Sequence, residues 1–136
     1  MSKHFSFLTE KFGFIKVPEY NFVTEVHNDY VKEGIIIKIV YDGGYFIHVL
    51  KPRFDIKDII DGKKRTTEFD FSKFKQYDLA NLDLDGSIWN SVSSNNFPDK
   101  SLWYYSKLLM ENHEILEGKL NKLTWTYALL KKIGLK

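Results

Sequence analysis

His113 and Glu114, in the stretch NHEILEG at 112–118, begin like the zinc-protease helix H-E-x-x-H, but Glu117 stands where the second histidine belongs. On an α-helix, His113 and Glu117 lie one turn apart and could touch one metal, yet a catalytic zinc needs a third protein ligand and an open position. The remaining histidines are His4, His27 and His48. His48 falls on a central strand, and no spacing brings it to this segment. With Leu109 before them and Lys119 and Lys122 after, Glu114 and Glu117 read as the polar face of a helix. No metal is expected there.

A second oxygen-rich stretch is Asn81-Leu82-Asp83-Leu84-Asp85-Gly86. It matches positions 1, 3, 5 and 6 of a calcium-binding loop, with Ile88 at the apolar position 8, but Val92 replaces the bidentate glutamate of position 12. An acidic turn between strands explains it without calcium. The chain has no G-x-S-x-G elbow, Walker loop or G-x-G-x-x-G fingerprint. It also has no cysteine, which removes thiol catalysis, disulfides and Cys-ligated zinc. An enzyme would need clustered carboxylates, or His48 set in a pocket. The sequence marks no catalytic residue and implies no cofactor.

Lys63-Lys64-Arg65, with Lys57, Lys73 and Lys75 around it and Phe69, Phe71 and Phe74 interleaved, makes a basic aromatic segment over 57–75. That composition could serve RNA or single-stranded DNA. Alternating aromatics in a strand are more often core, however, and neighbouring aspartates dilute the charge. The net charge of +2 implies no strong pull toward nucleic acid or anionic membrane.

These residues must be positioned by one domain, 1–136, large enough to bury roughly 65–70% of its unfolded surface. At 43% hydrophobic and 28% charged the balance is globular, and 16% aromatic residues favour a bulky core or a sticky surface. The opening MSKHFSFLTEKFGF lacks the continuous apolar core of a signal peptide. No apolar run approaches the length of a membrane-spanning helix. A cytoplasmic protein without membrane contact is expected.

Phe5, Leu8 and Phe12 form one helical stripe ending at Gly13, which predicts a helix over about residues 3–12. Pro18 suits an edge position. In GIIIKIVYDGGYFIHVL, two apolar runs flank Asp42-Gly43-Gly44, a hairpin with both faces largely apolar. Phe22 to Val26 reads as a strand turning at His27-Asn28-Asp29 into Tyr30-Val31-Lys32. Asp55 to Ile60 reads as a short helix ending at Gly62 or as part of a strand, and Thr67 to Phe71 as a strand. Pro98 and Asp99 open the longest helix. Leu102, Leu109, Leu116 and Leu123 recur every seven residues, but Gly118 interrupts a zipper and core packing explains them better. A last helix is expected over about 121–133. The predicted architecture is α+β: an N-terminal helix, a four- to five-stranded antiparallel sheet, and two C-terminal helices packed on one face.

Three stretches, FSFLTEKFGF at 5–14, IVYDGGYFIHVL at 39–50 and YYSKLLMENHEILEGKLNKL at 104–123, together resemble a set of small bacterial proteins, some of which look like immunity proteins of polymorphic toxin systems. The matching positions are Phe12-Gly13-Phe14, Tyr105, Leu108, Leu109, Leu116 and Gly118; Lys119 departs from the usual aspartate. The resemblance implies a shared fold and a non-enzymatic protein that neutralises a neighbouring toxin by occlusion; separately, the apolar faces of the hairpin leave a monomer or a homodimer as the expected state. Residues for such a contact are sought in the acidic stretch Asp78, Asp83 and Asp85, with Asp55, Asp58 and Asp61 next. Trp89, Asn95 and Asn96 join them as loop residues. The alternative is a small nucleic-acid-binding domain using segment 57–75.

Overall fold

The hairpin read from GIIIKIVYDGGYFIHVL is the centre of the structure, a computed structural model that describes residues 2–92, 99–124 and 133–134. Strands β4 (Ile35–Tyr41) and β5 (Tyr45–Pro52) pair antiparallel, with Tyr41 opposite Tyr45 and Ile37 opposite Val49. Gly43 makes the reversal with φ +73°, a left-handed conformation that glycine adopts without a Cβ penalty. Alternation then divides the side chains. Ile35, Ile37, Ile39, Ile47 and Val49 enter one core, while Ile36 and Leu50 enter a second, separate one.

Strand β3 (Glu25–Lys32) pairs with β4 from Val26 to Lys32. The turn expected at His27-Asn28-Asp29 is therefore wrong: these residues lie mid-strand and are buried. The chain reverses instead at Val23-Thr24 and Glu33-Gly34. Both β1 (Ile15–Lys16) and β2 (Tyr20–Phe22) pair with β3, so they lie end to end along its outer edge with Pro18 between them. Strand β6 (Phe74–Tyr77) closes the opposite edge against β5. Six strands thus fill five positions, because the edge strand is broken where proline cannot donate to a ladder.

Thr67–Phe71 is not a strand. It runs from one 3-10 turn, Thr66–Glu68, into another, Phe71–Lys73, through Phe69 and Asp70. The Glu68 carboxylate accepts the Arg65 backbone N–H, and the Asp70 carboxylate accepts the Ser72 N–H at 3.2 Å. Acidic side chains that bond nearby backbone favour turns over strands.

Two helices, α1 (Ser2–Phe12) and α4 (Asp99–Glu111), line the first sheet face. Phe5 and Leu8 of α1 and Leu102, Leu108 and Leu109 of α4 meet Ile37, Ile39 and Val49 there. Each such aliphatic side chain contributes about 1.5–3 kcal/mol when fully buried. All four heptad leucines are in this core, and they are not on one helix. The α-helix stops at Glu111, where Asn112 turns its amide back to the Leu108 carbonyl at 2.9 Å, and His113–Glu117 continues as a 3-10 helix. Its Ile115 and Leu116 also enter the core. Of the helix expected over 121–133, Asn121–Leu123 is a 3-10 turn, and 125–132 lies outside the described residues.

Among the described residues, the second face is covered at one end. The β5–β6 connection carries α2 (Lys57–Ile60), whose Ile59 joins Ile56 over Val31, Ile36 and Leu50. Phe54 packs against Phe69 and Phe74 beside them, at ring separations of 4.8 and 5.5 Å. The other end of that face is where the chemistry lies.

Candidate functional site

Register across the sheet orders the second face into rows. Phe22 pairs with Glu25, and Asp42 follows Tyr41, whose partner is Val26, so Phe22, Glu25 and Asp42 form the outermost row. Tyr20, His27, Val40 and Phe46 form the next, and Asp29, Lys38 and His48 the third. Val31, Ile36, Leu50 and Gln76 form the fourth, which begins the covered, apolar end. Polarity therefore falls along the strands from an open acidic end to a closed apolar one.

The third row holds a buried ion pair. Lys38 Nζ lies 2.9 Å from Asp29 Oδ1, 2.9 Å from His27 Nδ1 and 3.0 Å from the Tyr20 hydroxyl. The ammonium thus donates to His27 and Tyr20 and pairs its charge with Asp29. With Nδ1 accepting, His27 carries its proton on Nε2 and donates it to Glu25 Oε1 at 3.0 Å. The Tyr20 hydroxyl and Thr66 Oγ1 both donate to Asp29 Oδ2. Burial pushes the Lys38 pKa down, and the Asp29 charge opposes that shift. Burial, reinforced by the Asp29 charge, pushes the Tyr20 hydroxyl up, so it stays protonated as a donor. The Arg65 guanidinium lies over the Tyr20 ring at 4.6 Å.

Above these rows is a cavity of about 430 Å³, within the roughly 300–1,000 Å³ span of ligand sites. Glu25, His27, Lys38, Asp42, His48 and Gln76 supply its polar lining, with Thr66 and Thr67 from the β5–β6 connection. Phe22, Phe46 and Phe71 line it as well, at 44%, 51% and 87% exposure, so its rim is aromatic and solvent-facing. His48 is half-buried, and its Nδ1 is 2.7 Å from the Gln76 amide nitrogen. Burial and the Lys38 charge lower its pKa from 6.5, against weaker opposing contributions from Asp78 and Glu25. It is therefore a neutral imidazole near neutral pH, with the amide donating to Nδ1 and the proton on Nε2. The arrangement can offer a ligand an apolar rim, a neutral N–H donor and two carboxylates.

No family model, curated protein or solved structure matches this chain. What the site does must therefore be read from its own atoms.

The acidic stretch lies partly beside this cavity and partly inside the protein. Asp78 is exposed two residues beyond Gln76, with its carboxylate accepting the Ala80 N–H at 2.9 Å. Asp83 is buried and spent internally: its carboxylate accepts from the Ile88 and Trp89 backbone at 2.9 and 3.0 Å and from the Tyr104 hydroxyl at 3.0 Å. It secures the first turn of α3 (Ser87–Ser91), and Asp85 accepts the Ser87 N–H there. The segment thus joins a 3-10 turn, Leu79–Leu82, to a short helix, not two strands, and its carboxylates bind backbone. Trp89 packs edge-on against Tyr104 at 5.0 Å under the Lys100 ammonium. Asn95 and Asn96 lie outside the described residues. Of the second-choice aspartates, Asp55, Asp58 and Asp61 are all exposed along the β5–β6 connection.

His113 and Glu117 are exposed on the 3-10 helix, where residues three apart align, so His113 shares its line with Leu116 and not Glu117. Among the described residues, no three His, Asp or Glu side chains form a group able to hold a metal. No described helix is long and apolar enough to cross a membrane.

Tyr20, His27, Asp29, Lys38 and Thr66 were not among the sequence candidates. One signal was available: Lys38 interrupts an apolar run of six residues on a central strand. A lysine so placed must find a carboxylate partner or lose its charge.

Proposed function

We propose that this chain is a non-enzymatic binding protein that engages a protein partner with the open half of its second sheet face. The observation that carries the reading is the aromatic rim. Phe22, Phe46 and Phe71 stand exposed around one concavity, and exposed apolar groups clustered on one surface mark interaction sites. Aromatic anchors over a pocket, ringed by polar groups, are the arrangement that concentrates binding energy in protein complexes. The non-catalytic part of the reading is supported by the polar floor. Lys38, Asp29, Tyr20 and His27 are bound to one another, and the His48 Nδ1 is bound to Gln76. The resemblance to immunity proteins suggests the kind of partner, a toxin encoded beside this chain, with cytoplasmic encounter and occlusion as the mode of action.

The test is co-expression with the product of the adjacent open reading frame, followed by co-purification and calorimetry. A stoichiometric complex that suppresses the neighbour's toxicity is expected, and Phe46→Ser with Phe71→Ser should abolish it. Failure of the chain to bind or protect would overturn the reading. A complex indifferent to both substitutions would remove the open face from it. The nucleic-acid alternative rests on exposed Phe71 among exposed Lys63, Lys64, Arg65, Lys73 and Lys75. It predicts binding to RNA or single-stranded DNA that weakens steeply with salt. Two of its three aromatics, Phe69 and Phe74, pack inward on Phe54, which makes it the weaker reading.

A further inference from the structure

Within the cavity, charge is not evenly distributed. Among the described residues, Lys38 is the one lysine or arginine in the lining, and Asp29 holds it in an ion pair at 2.9 Å. His48 is kept neutral by burial and by that same lysine. The other carboxylates of the lining are Glu25, at the start of β3, and Asp42, which follows the end of β4 one step beyond the Val26–Tyr41 pair. Both lie on the cavity side of the sheet, since Glu25 shares the alternation of His27 and Asp42 that of Val40. Two carboxylates gathered at one end of a lining favour a cation there. Among the described residues, one Glu25 oxygen is engaged, by His27 Nε2 at 3.0 Å.

The walls at the same end are aromatic. Phe22 is the cross-strand partner of Glu25, and Phe46 pairs with Val40, two residues before Asp42. Phe rings attract cations over their faces, and a carboxylate binds a planar guanidinium with two parallel hydrogen bonds. Lysine offers a point charge without that planarity.

We propose that the Glu25–Asp42 end of the cavity takes the guanidinium of an arginine on the protein partner, with Phe22 and Phe46 flanking it. The inference rests on the proposed protein-binding role and names the chemistry of what enters. It also answers how a chain of net charge +2 presents an acidic contact: two carboxylates are segregated to one end of one sheet face.

The test uses the isotope-labelled full chain and three small probes of the same shape: benzamidine, benzamide and benzoate. Backbone amide shifts are followed on titration. Benzamidine should move the resonances of Glu25, Asp42 and Phe46, with a Kd about tenfold below that of benzamide, while benzoate does not bind. Glu25→Gln and Asp42→Asn should each weaken benzamidine by about threefold or more and leave benzamide unchanged. Asp42→Asn lies at the hairpin reversal, so it checks the result should Glu25→Gln disturb His27. Equal affinity for benzamidine and benzamide, preference for benzoate, no shift with any probe, or insensitivity to Asp42→Asn would each overturn the proposal. A partner complex lost on Phe46→Ser and Phe71→Ser, together with no cation preference, would leave the binding role standing and sink this inference alone.

Discussion

Lys38 illustrates how much of this site depends on residues distant in sequence. Its three contacts come from Tyr20, His27 and Asp29, and Thr66 reaches the same carboxylate from the β5–β6 connection. None of those separations has a periodicity, so the sequence presents His27-Asn28-Asp29 as an ordinary polar turn. His27 and Asp29 are held in the strand by the lysine opposite and the covering threonine, and Asn28 donates its amide to Glu19 at 3.1 Å. A charge buried this way is costly to leave alone. Lys38→Met should destabilise the fold by about 3–5 kcal/mol, since Asp29 loses its counter-charge, and adding Asp29→Asn should restore most of that. Urea unfolding of both variants checks it. If the single and double variants are equally unstable, packing of the lysine stem matters more than the pair.

At the scale of elements, legibility followed locality. The helix ending at Gly13 and the β4–β5 hairpin, with its division into faces, could be read because each is set by neighbours a few residues away. Thr67–Phe71 misled because alternation is also produced by two capped turns, and HEILE because Asn112 ends the α-helix before the motif begins. The β2–β3 reversal carried no signal at all. Its Val23 has φ +58°, a conformation that a β-branched residue adopts only under strain, and it is 85% exposed. Strain of this kind costs about 1–3 kcal/mol, and glycine would remove it while losing a little to chain entropy. Val23→Gly should therefore raise stability by about 1 kcal/mol in urea unfolding. It should also leave the Phe22–Glu25 pairing in place. A destabilised variant would show that the turn is held by the valine itself.

For the whole molecule, the sheet assigns different work to its two faces. The first is sealed by α1, α4 and the 3-10 helix 113–117, and its Leu108 is fully buried. Among the described residues, the second is sealed where α2 covers Val31, Ile36 and Leu50, and its other half exposes aromatic rings over a cavity. Burial makes these faces energetically unequal. Leu108→Ala should cost about 2–5 kcal/mol, because the cavity it leaves cannot collapse fully. Phe46→Ser removes a larger side chain but one already half in water, and it should change stability by about 0.5 kcal/mol or less. Thermal unfolding of the two variants side by side decides the matter. A large loss for Phe46→Ser would mean that this ring supports the fold, and a partner could not then use it without disturbing the sheet. Near-neutrality would mean that a bulky aromatic is held on the surface without helping the protein fold, which leaves recognition as its physical justification.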